Sequence, residues 1–261
     1  MSISLSVIGG GNMAKAIIAG AIEGNILSSS EIAVADPEDS SRQFFDHLGC
    51  STFSTASELP KATVTLLAVK PQIFALIANE VNADVVYSIM AGVATEQIAQ
   101  AVGHSKIVRI MPNLPCSIGF GAAGIALGEG ATKEDASLAR DLFSAIGVVA
   151  EVQEELMDAV TAVSGSGPAY VFMLAEAMIQ GGVEAGLTIE TATTLVQQTV
   201  LGASELLSRD ARRAGELREA VTSKGGTTAA ALQCMADKDV SASIVLAVLA
   251  ARDRGRELGN K

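Results

Sequence analysis

The sequence predicts an α/β protein, with a mostly parallel sheet domain over residues 1–153 and an all-helical domain over residues 154–261. Three observations predict it. Short apolar runs alternate with helical patterns through the first half, as in βαβ units of a doubly wound sheet. A glycine-rich turn, "GGGNMA", joins the first strand pattern to the first helical pattern. From about Glu154 onward no segment reads as a strand, and helical patterns follow one another to the end.

Taken in order, "ISLSVI" (3–8) reads as a strand and "NMAKAIIAGAIEG" (12–24) as a helix. "EIAVAD" (31–36) is a strand, followed by a helix over 37–49 that Pro37 opens. Buried strands are expected at 63–69, 85–90 and 106–111, separated by segments long enough for crossover helices. The second half reads as helices at 155–163, 167–186, 189–208, 213–221, 228–236 and 240–258. The run "AYVFMLAEAMIQGGVEAG" is apolar on more than one face, and a helix apolar nearly all round is buried. So short a domain has little interior for such helices. Some of these faces are expected to be buried against another subunit, a snug monomeric bundle being the alternative.

Composition narrows the function classes. A chain of 261 residues with 49% hydrophobic residues can bury a core and is not disordered. Aromatics are only 3% and Trp is absent, so Ala, Val, Ile, Leu and Met must fill that core. A net charge of −11 disfavours binding to nucleic acid or to an anionic membrane surface. Cys50, Cys116 and Cys234 have no ligand-like spacing, which suits reduced thiols in a cytoplasmic protein and no metal site. The apolar start has no basic segment before it and Lys15 interrupts it, so it does not read as a signal peptide. The apolar run 244–251 is too short to span a bilayer. Neither export nor membrane insertion is expected.

Gly9-Gly10-Gly11-Asn12-Met13-Ala14 fits G-x-G-x-x-(G/A), between a strand and a helix as dinucleotide binding requires. Gly9 permits the turn, Gly11 lets a pyrophosphate approach the backbone, and Ala14 lets the helix pack on the sheet. The helix start at Asn12 and Met13 offers amides and a positive dipole end to phosphates. A plain glycine-rich turn is the alternative. Asp36, at the end of the second strand, suits the ribose hydroxyls of NADH, whereas Ser40, Ser41 and Arg42 could serve the extra phosphate of NADPH. Asp36 could also cap the helix after Pro37. The choice between NADPH and NADH stays open. Three more stretches end strands on the same sheet edge: Ala68-Val69-Lys70-Pro71, the pair Ala91-Gly92, and "MPNLP" with Asn113 between two prolines. Lys70 could lie near the cofactor phosphates or ribose, and Asn113 could hydrogen-bond the nicotinamide.

Two later motifs are more specific. "SGSGPAY" (164–170) reads as a tight turn with Pro168 starting a helix. "VTSKGGTTAAAL" (221–232) puts a glycine pair immediately before a helix start, where free amides favour an anion. An ordinary Gly–Gly turn capped by threonines would look the same. Together with "LAVKPQ" and "MPN", in this order, these motifs resemble the pyrroline-5-carboxylate reductase family, over essentially the whole chain. Leu114 stands where that family usually has Thr, and Lys224 where it usually has Pro.

The resemblance implies a Rossmann-type N-terminal domain and an all-α C-terminal dimerisation domain, with homodimers assembling further into a ring (a decamer). It implies reduction of the cyclic imine 1-pyrroline-5-carboxylate to L-proline by NADPH or NADH. Gly225 and Gly226 would offer amides to the substrate carboxylate, with Ser223 and Thr227 adding hydroxyls. Thr228 would hydrogen-bond the ring nitrogen and Val221 would line the pocket. Such a reaction needs no strong base, and the two histidines, His47 and His104, lie away from every motif.

Overall fold

A computed structural model describes residues 3–259. The chain divides into two compact units, one running to Pro168 and taking in the stretch from Leu249 onward, the other Ala169–Val248.

The first unit is built on eight strands: β1 (Ile3–Ile8), β2 (Ile32–Ala35), β3 (Ser51–Phe53), β4 (Ala62–Leu67), β5 (Ala83–Ser88), β6 (Ile107–Met111), β7 (Gly121–Leu127) and β8 (Gly147–Glu151). Their order in the sheet is β3-β2-β1-β4-β5-β6-β7-β8. β1 to β6 are mutually parallel, β7 runs antiparallel to β6, and β8 runs parallel to β7. The helices between them are α1 (Asn12–Glu23), α2 (Asp39–His47), α3 (Pro71–Ile77), α4 (Thr95–Val102) and α5 (Ser137–Ser144). The chain goes from β1 to β2 on one side and later to β4 on the other. The C-terminal end of β1 is therefore a topological switch point, the usual ligand crevice of such sheets. This is the expected Rossmann-type fold. The five strands read from sequence are present as β1, β2, β4, β5 and β6, to within about two residues.

Alternation along the strands feeds two cores. Leu5, Val7, Leu66 and Tyr87 face Ile17 and Ile18 of α1, Phe45 of α2 and Phe143 of α5. Ile8, Leu67, Val86 and Ile107 face Phe74 of α3 and Ile98 of α4. Ser6 and Thr65, the polar residues of the alternation in β1 and β4, share a buried hydroxyl hydrogen bond of 2.7 Å. The Tyr87 hydroxyl donates to the Asp135 carbonyl at 2.6 Å and accepts from the Ala139 amide at 3.2 Å. Burial pushes its pKa up to about 12.

Beyond β8 the chain is helical. α6 (Met157–Val160) runs into a π-helical turn, Thr161–Gly165, and then α7 (Gly167–Glu184). α8 (Ile189–Arg209), α9 (Ala214–Ala220), α10 (Thr227–Asp237) and α11 (Val240–Gly259) follow. In the unit Ala169–Val248 the fully buried residues are Ala192 and Val196, both on α8. Phe172, Met173, Leu201, Leu207 and Val245 are more than half exposed in the single chain. Glu154–Glu184 is long and apolar enough to cross a membrane by length and composition alone. Helices this apolar with so little interior of their own need a covering surface.

Candidate functional site

β1 delivers the chain to the glycine turn at the switch point. The Gly9 amide donates to the Ala35 carbonyl at 2.8 Å, and Gly9 takes φ +102°. A Cβ there would lie 2.6 Å from the Ala68 carbonyl oxygen, and one on Gly10 would lie 2.9 Å from the Phe45 ring. The fold itself therefore requires both glycines. Gly11 differs: its φ of −68° suits any residue, and a Cβ would meet nothing within 4 Å. Its missing side chain leaves space in front of α1. No side chain caps that helix, and its first internal bond is Lys15 to Gly11, so the amides of Asn12, Met13 and Ala14 precede it. Ala14 is fully buried, which lets α1 sit close on the sheet. The turn thus fits a dinucleotide pyrophosphate: amides and a dipole end face open space.

Asp36, just past β2, is bonded to this turn. One carboxylate oxygen accepts from the Gly10 amide at 2.6 Å, and the other accepts from the Glu38 amide at 2.9 Å. Asp36 therefore ties the glycine turn to the start of α2. Arg42 donates to the Asp36 carbonyl at 2.5 Å and pairs with the Asp39 carboxylate. The neighbouring loops leave the same sheet edge. Ala68 and Val69 follow β4 and are half-buried, while Lys70 is exposed at the N-cap of α3, with Pro71 in the first helical position. Ala91 and Gly92 follow β5, with Gly92 at φ +73° and its absent Cβ 3.4 Å from Leu258 Cβ. Gln97 accepts from the Ala94 amide at 2.9 Å and donates to the Gly259 carbonyl at 3.1 Å, so the end of α11 rests on this loop.

Asn113 follows β6 and joins two motifs. Its side-chain oxygen accepts from the Ala122 amide at 2.9 Å, and its Nδ2 donates to the Ser164 carbonyl at 3.1 Å. Pro168 explains the second bond. Proline has no N–H, so the carbonyl four residues earlier, that of Ser164, loses its helical donor. Asn113 supplies one instead. A helix starting at 167 with Pro168 in its first turn is what the sequence predicts, and α7 begins there, with a π-helical turn, Thr161–Gly165, leading into it from α6. The Ser166 amide bonds five residues back, to Thr161, at 2.7 Å. Gly165 is small because a Cβ would lie 2.8 Å from Met111 Cε.

The second predicted loop lies in the helical unit, between α9 and α10. Val221 is the C-cap of α9 and is 64% exposed. The Gly226 amide donates to the Ser223 carbonyl at 3.0 Å, closing a turn in which Gly225 takes φ +72°. A positive φ at the third turn residue is the type II pattern, whose second position favours Pro. Lys224 fills that second position. A Cβ on Gly226 would displace the Ser223 hydroxyl, so the missing side chain leaves that hydroxyl its place beside the turn. Gly226 is the N-cap of α10 and brings no side-chain cap. The first bond of α10 runs from Ala230 to Gly226, so the amides of Thr227, Thr228 and Ala229 precede it. Thr228 is half-buried and Thr227 exposed. α1 and α10 thus both start without a side-chain cap just after a glycine turn.

Nucleophilic groups do not gather at these turns. Burial pushes the Cys50 thiol up to about 11 and raises that of Cys116, so neither is a thiolate near neutrality. His47 bonds the Gln43 carbonyl on the surface of α2, and His104 accepts from the Lys106 amide. The sequence reading did not identify Arg109. It is 5% exposed on β6 and donates to Glu154 Oε1 at 2.9 Å, which also accepts from the Thr95 amide at 3.1 Å. A lone charged residue inside the apolar strand "KIVRIM" was the available signal.

Comparison with known proteins agrees with both halves of the chain. The model of a family described as "Pyrroline-5-carboxylate reductase dimerisation" matches residues 154–258. That of "NADP oxidoreductase coenzyme F420-dependent" matches residues 4–92. A pyrroline-5-carboxylate reductase of Synechocystis sp. is 40% identical, covering 100% of both chains. Among solved structures, the pyrroline-5-carboxylate reductase of Coxiella burnetii is 34% identical with a TM-score of 0.91, covering 99% of each chain. That of Plasmodium falciparum, solved with NADP bound, is 28% identical with a TM-score of 0.86, covering 98% of each. With relatives this similar over its full length, the chain belongs to the pyrroline-5-carboxylate reductase family.

Proposed function

We propose that the chain reduces 1-pyrroline-5-carboxylate to L-proline with NADPH or NADH. The observation that carries this reading is the pair of uncapped, glycine-flanked helix starts at α1 and α10. One suits a pyrophosphate and the other a small carboxylate. Gly9, Gly11, Asn12, Met13 and Ala14 hold the dinucleotide phosphates. Asp36 carries the adenine ribose, each of its oxygens retaining a lone pair beyond its backbone bond. Ala68, Val69, Lys70 and Pro71 flank the phosphates and ribose, and Ala91, Gly92 and the remaining N–H of the Asn113 amide line the nicotinamide end.

When bound, the nicotinamide supplies the hydride. The chain's own task is to hold the ring for it. The Gly225 amide, the amides of Thr227 and Thr228 that precede the first bond of α10 and the hydroxyls of Ser223 and Thr227 clamp the carboxylate. The Gly226 amide, bonded to the Ser223 carbonyl, holds the turn instead of the expected substrate oxygen, and Val221 closes one side. The substrate is reactive as the iminium, whose ring N–H donates to the Thr228 hydroxyl. Hydride then adds to the C=N carbon, the C=N π electrons become the nitrogen lone pair, and no base is needed. The enzyme is proposed to be cytoplasmic and to act as a homodimer through its C-terminal helices, assembled into a decameric ring. The test follows absorbance loss from NADPH and from NADH separately, with pyrroline-5-carboxylate and purified protein. Proline-forming oxidation of either cofactor is expected, and no loss with either would overturn the reading.

A further inference from the structure

The segment from Asp36 to Arg42 runs from the end of β2 into the first turn of α2. It carries the carboxylates of Asp36, Glu38 and Asp39 and the guanidinium of Arg42. Asp36 is fixed at both ends. Its amide donates to the Phe53 carbonyl of β3 at 3.1 Å, and the Gly10 and Glu38 amides hold its two carboxylate oxygens. A Cβ on Gly10 would lie 3.2 Å from that carboxylate, so the negative charge stands against the glycine turn itself. Arg42, the nearest cation along the chain, is already engaged. It donates to the Asp36 carbonyl and pairs with the Asp39 carboxylate, which leaves its side chain 18% exposed. The start of α2 would otherwise draw a phosphate. There the Glu38 amide is satisfied by Asp36, and Asp39 puts another carboxylate in the first turn. Ser40 and Ser41 bring hydroxyls but no positive charge.

NADH and NADPH differ at the adenine ribose, where NADPH carries a phosphate in place of the 2′-hydroxyl. The hydroxyl can donate to a carboxylate lone pair. A phosphate there brings roughly one and a half to two negative charges instead. We infer that the chain selects NADH over NADPH, with Asp36 as the selecting residue and Arg42 kept from the 2′-phosphate by its pairing with Asp39. The inference rests on the cofactor site proposed above and narrows it to one cofactor. Like charges set side by side suppress the wrong partner more than they help the right one, so the selection comes chiefly from rejection of NADPH.

Titration calorimetry of the full chain with NADH and with NADPH, without imine, reads the two dissociation constants directly. NADH should bind at least about tenfold more tightly. Asp36→Ser removes the charge and should bring the two constants to within about threefold. Asp39→Asn, at a side chain 81% exposed, releases Arg42 and should tighten NADPH several-fold with NADH unchanged. Because Asp36 also braces the glycine turn, circular dichroism checks that Asp36→Ser folds. If it does not, the parent decides alone. In about 1 M sodium chloride, which screens charges beyond roughly 3 Å, NADPH should gain on NADH, whereas a phosphate held by Arg42 would lose ground. Equal constants in the parent, tighter NADPH, a folded Asp36→Ser with an unchanged ratio, or NADPH failing to gain in salt would each overturn the selection by Asp36 and leave the reductase reading intact. NADPH binding unaltered by Asp39→Asn would overturn the part given to Arg42. Binding of neither cofactor would overturn the reductase reading as well.

Discussion

Single residues divide by whether their reason is local or distant. Gly9 and Gly11 announce themselves because a glycine turn between a strand and a helix is a local pattern. The structure then separates their roles: backbone crowding demands Gly9, while only open space in front of α1 accounts for Gly11. Asn113 is different. It was legible as a stiff loop residue, but its bond to Ser164 joins positions 51 residues apart, and no spacing rule reaches that far. Asn113→Ala would leave the Ser164 carbonyl and the Ala122 amide without their partner, costing about 2 kcal/mol in urea unfolding. Asn113→Asp keeps the acceptor for Ala122 and loses the donor for Ser164, so it should fall between. Equal stability of all three would remove this strut. Thr228→Ala tests the other end of the proposed chemistry. Loss of one hydrogen bond to the reacting ring should lower kcat about ten- to a hundredfold, with the KM for cofactor unchanged. Unaltered turnover would take Thr228 out of the mechanism.

Elements were legible where they are long and periodic. The apolar strands β1, β4, β5 and β6 and the long helices of the second half all carry their period in the sequence. β3 has three residues and no apolar run, and β7, "GAAGIAL", is made of small residues with no alternation. β8 is a half-exposed edge, so burial does not mark it. The start of α7 is legible from Pro168, whereas the π-helical turn before it depends on the Asn113 donor from β6's loop and carries no sequence signal of its own. Another feature of element scale is the end of α11, which touches the loop after β5 through Leu258 and Gly259. That loop is proposed to line the nicotinamide. A chain ending after Gly255 should therefore raise the KM for NADPH or NADH several-fold, roughly 1 kcal/mol or more of binding, while the rest of the first unit stays folded. Hydrogen exchange would show the loosening at residues 90–94. Unchanged cofactor KM would mean that the tail only rests on the loop.

On the scale of the whole molecule, burial is uneven. The first unit has two cores on the faces of one sheet, and the helical unit buries fully only two small aliphatic residues within the single chain. Helix propensity alone holds short helices poorly in water, and packing of an apolar face supplies most of their stability. In this family member that packing has to come from association, which is why the sequence could show that the helices are apolar all round but not what they face. Folding and assembly are then one equilibrium for the helical unit. Its melting temperature should rise with protein concentration. Each tenfold increase stabilises a dimer by about 1.4 kcal/mol, or roughly 2 °C for a chain of this size. NADPH at about a hundred times its dissociation constant adds about 2.7 kcal/mol to whatever unfolds with its site. Calorimetry over a thousandfold range of concentration, with and without NADPH, separates the two effects. If the helical unit is folded by association, concentration shifts its transition, while cofactor shifts that of the sheet unit, or both move together when the units melt as one. A helical transition that stays fixed across that range would mean that the unit holds itself together, and that its exposed apolar faces serve something other than its folding.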